Sequence, residues 1–346
     1  LSSQLRLAVD AMGGDLGPRS VVPACSRFLV RYPQVELKIF GPRSQLQSLL
    51  VKEPPAIRER MSVVHCEQVV TQQCNPVHAL RRMRESSMAR ALQSVSDGEC
   101  QAMVTSGNTG ALLALGRSIL GTVPGVRRPA LGKSIPAADH SCFLLDLGAN
   151  IDCSAEDLVQ FAHLGVEAQR VFSGRNDANL EVALLNIGAE EHKGTEEIRR
   201  AGQLLNADPT INYVGFVEGH DIFAGVVDVV VCNGLMGNVA MKSAEGVIRL
   251  IGQKSFTIDK KAPIKRFFGQ LAINLLRKWR TQLEPGRYNG ASFLGLQGNV
   301  IKSHGGASSE AFYRAMLTAR ECAEADLAGR LNSAMSAVVE RQVDSF

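Results

Sequence analysis

Leu5-Arg6-Leu7-Ala8-Val9 runs straight into Asp10-Ala11-Met12-Gly13-Gly14-Asp15, and a stretch of helical period follows from about Ser20 to Arg31. An apolar run without polar alternation, ending in glycines and leading into a helix, is the pattern of a strand buried on both faces. The same alternation repeats along the chain. Val35–Phe40, Met61–Cys66, Ala102–Thr105, Phe143–Leu147, Val182–Ile187, Ile211–Phe216 and Val227–Cys232 read as further strands, with helical stretches such as Ser87–Val95 and Glu196–Leu205 between them. From Ser308 to about Gln342 the period is helical again and closes the fold. This order predicts an α/β protein with a doubly wound, mostly parallel sheet and helices on both faces. With 346 residues and no repeat, we expect one large α/β domain over residues 1–346.

Composition narrows the function classes. The chain is 45% hydrophobic and 21% charged, with 32 Gly and 13 Pro, values of an ordinary globular protein rather than a fibrous or disordered one. No apolar run is long enough for a spanning helix. The 8 cysteines include no Cys-x-x-Cys pair, and residues such as Cys232 sit in apolar runs, as in a reducing compartment. With no basic-then-apolar leader visible ahead of the first strand, the expected location is cytoplasmic.

In an open parallel sheet, ligands bind beyond the carboxyl ends of the strands. Small polar residues stand at those positions: Gly13 and Gly14; Ser106-Gly107-Asn108-Thr109-Gly110; Asp146-Leu147-Gly148-Ala149-Asn150; Asn186-Ile187-Gly188; and Asn233-Gly234-Leu235-Met236-Gly237-Asn238. Glycine lets backbone N–H groups approach an anion, and a helix N-terminus favours negative charge, so the series predicts a phosphate site. Any one of these glycines is accounted for by an ordinary strand-to-helix turn; the series is what points to function. The named nucleotide motifs, the Gly-x-Ser-x-Gly elbow and histidine pairs at zinc-ligand spacing are absent, so we expect no nucleotide cofactor, no serine nucleophile and no metal.

Two segments combine charge with glycine: Glu190-Glu191-His192-Lys193-Gly194, and Val300-Ile301-Lys302-Ser303-His304-Gly305-Gly306, which follows no strong strand. A lysine there neutralises a phosphate and a histidine moves a proton near neutral pH. Each lysine taken singly reads better as a solvated loop charge; of the two segments, Lys302-Ser303-His304 is the stronger candidate.

Net charge is +4, from 38 basic and 34 acidic residues, but 7 of the bases lie between Lys260 and Leu283 with no acid among them. The rest of the chain is therefore slightly acidic, which excludes a general nucleic-acid footprint. As a helix, the segment brings Ile264, Phe267, Phe268, Leu271, Leu275 and Trp279 near one face. We read 255–283 as a projecting basic amphipathic helical insertion. Its occupant is an anionic membrane surface (through about 260–282), an acidic carrier protein, or a dimer mate.

Several blocks in order along the chain carry a resemblance. They include Val9-Asp10-Ala11-Met12-Gly13-Gly14-Asp15, Ser106-Gly107-Asn108-Thr109-Gly110-Ala111, Arg128-Pro129-Ala130 and Leu145-Asp146-Leu147-Gly148-Ala149-Asn150. Leu185 to Gly194, Gly237-Asn238-Val239, Tyr288-Asn289-Gly290-Ala291 and Val300 to Gly305 complete the set. With them the chain resembles the phosphate acyltransferases, the acyl-(acyl-carrier-protein):phosphate transacylases of bacterial phospholipid synthesis. One departure is Asn233, where the family is expected to carry Asp.

The resemblance implies a fold similar to isocitrate and isopropylmalate dehydrogenases and to phosphotransacetylase, a homodimer, and no cofactor. It also implies a reaction in which inorganic phosphate attacks the thioester of an acylated carrier protein to give an acyl phosphate, without an enzyme nucleophile. Lys302, His304, Asn108, Lys193 and Asn238 are then the expected catalytic residues. Gly13, Gly14, Ser106, Gly107, Thr109, Gly110, Arg128, Asn233 and Gly237 are the expected phosphate or substrate contacts. The expected location is cytoplasmic, with peripheral association at the inner face of the cell membrane. The competing readings are a dehydrogenase on a related fold, which lacks its fingerprint here, and a non-catalytic membrane-binding protein.

Overall fold

A computed structural model describes residues 4–137, 140–176, 179–253 and 289–344. The segment 255–283, expected to project as a basic helix, lies outside the described residues.

In chain order the helices begin with α1 (Pro18–Arg31), α2 (Arg43–Leu50), α3 (Pro55–Arg58) and α4 (Pro76–Arg82), and polar caps mark where several of those that follow start. Ser86 accepts from Ala89 N–H at the head of the helix Ser87–Ser96 (α5), and Asn108 accepts from Ala111 N–H at the head of Thr109–Ile119 (α6). Ser154 and Asp157 form a reciprocal capping box on Ala155–Ser173 (α7), and Thr195 caps Glu196–Ala207 (α8). Each cap satisfies an N–H that the first helical turn leaves open.

The strands are β1 (Arg6–Asp10), β2 (Glu36–Gly41), β3 (Met61–His65), β4 (Ala102–Thr105), β5 (Ala130–Pro136), β6 (Ser141–Leu145), β7 (Glu181–Leu185), β8 (Asn212–Val217), β9 (Val229–Val231), β10 (Ala291–Leu294) and β11 (Asn299–Lys302). They form one sheet in the order β3-β2-β1-β4-β11-β10-β5-β6-β9-β7-β8. The sheet is mostly parallel, as expected, but β11–β10, β10–β5 and β5–β6 are antiparallel. Three reversals in a row turn the two parallel halves against each other.

The register shows what this does. Lys302, the last residue of β11, pairs with Ala291; the next residue, Ser292, pairs with Gly132; and Gly132 pairs with Leu145, the last residue of β6. The carboxyl ends of both halves thus meet in the middle of the sheet, on either side of β10 and β5. The glycine-rich turns do not line one edge, as successive parallel strands would have it. They form two sets facing one another.

Three strands escaped the sequence reading. In Ala-Leu-Gly-Lys-Ser-Ile-Pro (β5), Gly132, Lys133, Ser134 and Pro136 break the apolar run; β10 and β11 span 4 residues each. Lys302 therefore ends a central strand rather than sitting in a loop without one. The reading also ran past four carboxyl ends, by two residues at β6 and β7, which stop at Leu145 and Leu185, and by one at β3 and β9, which stop at His65 and Val231.

Packing differs between the faces. On one, a single hydrophobic cluster runs unbroken from Phe28 and Leu46 to Leu184 and Leu205. It is covered by Pro18–Arg31 (α1), α7, α8 and the two carboxy-terminal helices Ser309–Glu324 and Leu327–Asp344. The other face carries two clusters. One lies under α5 and α6 around Met88, Leu92 and Leu112. The second gathers Ile135, Leu144 and Val230 with Asp221–Ala224 (α9) and the start of Gly234–Gln253 (α10). Between the two, the sheet shows polar side chains.

Candidate active site

The gap between these clusters is crossed by a row of paired residues. Asp10 pairs with Thr105, Thr105 with Lys302, and Lys302 with Ala291. Paired residues in adjacent strands share a face. Thr105 Oγ1 donates to Asp10 Oδ2 at 2.7 Å and accepts from Gly107 N–H at 2.9 Å, while Met12 N–H donates to Asp10 Oδ1 at 3.2 Å. Burial pushes the Asp10 carboxyl above the usual carboxylate range, against these hydrogen bonds. Lys302 Nζ donates to the carbonyls of Ser106 and Ser303. Burial first, then the charge of Lys242, pulls Lys302 down to about 8, with Asp15 acting the other way.

Three loops knit together above this row. A Cβ on Gly13 would lie 2.5 Å from Gly107 N, and one on Gly14 (φ +84°) 2.6 Å from Gly305 O, so side chains are excluded at both. Asp15 N–H donates to Gly305 O at 2.8 Å, tying the β1 loop to the β11 loop. Asn289 accepts from His304 N–H at 2.9 Å and donates to Ser303 Oγ at 2.7 Å. The His304 ring lies between Gly306 N–H, 3.2 Å from Nδ1, and Lys242 Nζ of α10, 3.0 Å from Nε2. Gly13, Gly14, Ser106, Gly107, Lys302 and His304 are therefore brought together from three strands.

The facing set is built on Asp146. Its buried carboxylate accepts from the N–H groups of Leu131, Gly148, Ala149 and Asn150 and from Asn150 Nδ2, all at 2.7–3.2 Å. Burial nonetheless raises its pKa. Gly234 N–H donates to Asn150 O at 2.7 Å, and Gly237 packs so closely on the Asp146 carbonyl that a Cβ would overlap it. Asn238, in the next position, lies exposed beside Gly148. The helix α10 starts here, and Lys242, eight residues on, reaches His304. One helix thus links the two sets.

Other expected site residues have different surroundings. The Asn108 amide donates to the carbonyls of Gln72 and Cys74 while its oxygen caps α6, so both ends of the side chain are committed to backbone. Thr109 and Gly110 open that helix, with Gly110 against Pro76. Asn233 accepts from Met236 N–H at 2.9 Å, a helix-capping role that the expected Asp would fill equally. Arg128 is exposed and donates to Asp152 O at 2.7 Å, close to Asp157 of α7, a helix of the closed face. Lys193 pairs with Glu190 at 2.7 Å beyond the carboxyl end of β7, folded over Gly188.

The sequence reading missed Thr105, Lys133, Asp146, Lys242 and Asn289 as site residues. Asp146 carried a signal in its place ahead of Gly148-Ala149-Asn150; Lys133 and Lys242 are marked only by the register and by α10. Among the described residues, no group of three or more His, Cys, Asp or Glu is placed to hold a metal ion.

The fold is shared with solved phosphotransacetylases. A phosphotransacetylase from Streptococcus pyogenes superposes with a TM-score of 0.64 over 93% of this chain and 95% of its own, at 16% identity. The EutD phosphotransacetylase from Staphylococcus aureus gives 0.60 over 92% and 94%, at 14% identity. In sequence, the family model described as "Fatty acid synthesis protein" matches residues 5–330. A phosphate acyltransferase from Pseudomonas fluorescens (strain Pf0-1) is 44% identical over 340 residues, 97% of this chain and 100% of that protein. One from Stutzerimonas stutzeri (strain A1501) is 44% identical over 94% of this chain and 90% of its own length. The chain belongs to the phosphate acyltransferase family and is an acyltransferase of fatty acid synthesis.

Proposed function

We propose that the enzyme moves a fatty acyl group from the thioester of an acyl carrier protein to inorganic phosphate, giving an acyl phosphate for phospholipid synthesis. The observation that carries this reading is the meeting of two sets of glycine-rich strand ends around Lys302, where backbone N–H groups and a lysine face one gap in the core. A phosphate oxygen attacks the thioester carbonyl carbon, the C–O bond forms, and the tetrahedral intermediate collapses with loss of the C–S bond. The sulfur leaves as thiolate and takes up a proton, for which His304 beside Lys242 is the donor. Lys302 balances the phosphate charge, and the loops of Gly13, Gly14, Gly107 and Thr109 supply main-chain donors. Asn238, with Lys193 at the outer end of the second half, supports the acyl oxygen. Fixing both reactants contributes on the order of 7–11 kcal/mol where the geometry is favourable. A donor on the oxyanion adds roughly 2.7–4 kcal/mol.

A homodimer belongs to the same reading, as does cytoplasmic residence with reversible contact between residues 260–282 and an anionic membrane. Flotation with anionic vesicles at rising salt tests the membrane contact, which should weaken but not vanish. For the reaction, acylated carrier protein is mixed with enzyme and inorganic phosphate, and thiol release and acyl phosphate are followed together. The two should appear one for one and only with phosphate. Thiol release without phosphate, or an acyl adduct on the enzyme by intact mass, overturns the direct attack.

A further inference from the structure

We propose that Lys133, on β5, is a phosphate-holding residue that closes on the anion from the side opposite Lys302; this rests on the reading above that the cleft binds phosphate. The register sets the geometry. Ala291 pairs with Lys302, and Ser292 pairs with Gly132, so Lys133 stands level with Lys302 two strands away. At strand spacing this separates the two Cα atoms by roughly 10 Å. The residue between them is Ala291, whose small side chain leaves a notch flanked by two lysine stems. Neighbours along β5 fix which face Lys133 uses. Leu131 and Ile135, two residues either side, belong to the two clusters of the open face. Its charge environment comes from the same side, from Glu245 and Lys242 of α10.

The hydrogen bonding singles it out. Lys302 is tied to the Ser106 and Ser303 carbonyls, and Lys242 to Glu245 at 2.8 Å and His304. Lys133 has no hydrogen-bond or ion-pair partner among the described residues, although half-buried. A lysine side chain without a partner, level with a second lysine across a small alanine, suits a tetrahedral dianion gripped from both sides. Burial lowers Lys133 to about 8, in keeping with a site whose charge is completed by an incoming anion.

Two measurements test this. In the wild-type enzyme, lysines are labelled with an amine-reactive acetylating reagent with and without inorganic phosphate, and peptides are quantified by mass spectrometry. Phosphate should protect Lys133 several-fold while leaving the exposed Lys52 unchanged; equal labelling of Lys133 under both conditions overturns the proposal. In steady-state kinetics, Lys133→Met should raise KM for phosphate about tenfold or more with the KM for acyl donor unchanged, and Lys133→Arg should restore most of the loss. A folded Lys133→Met enzyme with an unchanged phosphate KM likewise removes Lys133 from the site. If the wild type itself fails to use phosphate, it is the functional reading that falls, so the two failures are told apart.

Discussion

The two faces of the sheet are made from the same strands, yet one carries a continuous core and the other a split one. On the closed face, residues from Phe28 to Leu205 form a single cluster beneath the long helices. On the open face, the clusters around Met88 and around Leu144 leave Asp10, Thr105, Lys302 and Lys133 between them. The difference comes from topology. Reversing the strand direction three times brings both sets of carboxyl ends to the centre. On the open face those ends lie between the two clusters and form the candidate site, while the closed face carries the continuous core.

The largest expected effect sets the faces apart by stability. Phe161, fully buried on the closed face, should cost about 3–5 kcal/mol when cut to Ala, read by denaturant unfolding. The surviving folded enzyme should keep its KM for phosphate. A shifted phosphate KM there would show that the closed face shapes the site directly and would break the division.

Next comes Lys302→Met, on the open face. It should lower kcat/KM for phosphate by about 100-fold, on the scale of removing one transition-state donor, while leaving the unfolding midpoint nearly unchanged. A large loss of stability with intact phosphate use would reassign Lys302 to the scaffold.

The smallest effect is on pH dependence. Lys302 and Lys133 are both lowered to about 8 by burial. Lys242 faces both, Asp15 faces Lys302 and Glu245 faces Lys133. A lysine is charged below its pKa, so affinity for phosphate is full below about pH 8 and lost above it. Between pH 7 and pH 9 the KM for phosphate should rise about tenfold for each lysine that grips the anion. A flat profile over that range would mean that neither ammonium contacts it.

Much of the first half was legible because its strands are continuous apolar runs ending in glycine. The helix Ser87–Ser96 and the strand Ala102–Thr105 fall where periodicity puts them. The centre was not. β5 carries Gly132, Lys133, Ser134 and Pro136 because it borders the cleft and a pocket, and a strand that serves a site loses the very pattern that announces strands. Without β5 and β10 the reversal is invisible, and with it the facing of the two glycine sets. Lys302 and His304 were readable from charge beside glycine, whereas Asn108 was readable only as a polar residue after a strand, a signal that a helix cap produces as readily. Arg128 shows the same limit: its neighbours in sequence say nothing of Asp152 and Asp157, which hold it.

The most direct test of the central claim is a crystal structure of the wild-type enzyme grown with inorganic phosphate. An anion is expected above Ala291, within hydrogen-bond reach of Lys302 and Lys133 and of main-chain N–H groups in the glycine loops. A phosphate bound in the enzyme but touching neither lysine would contradict it.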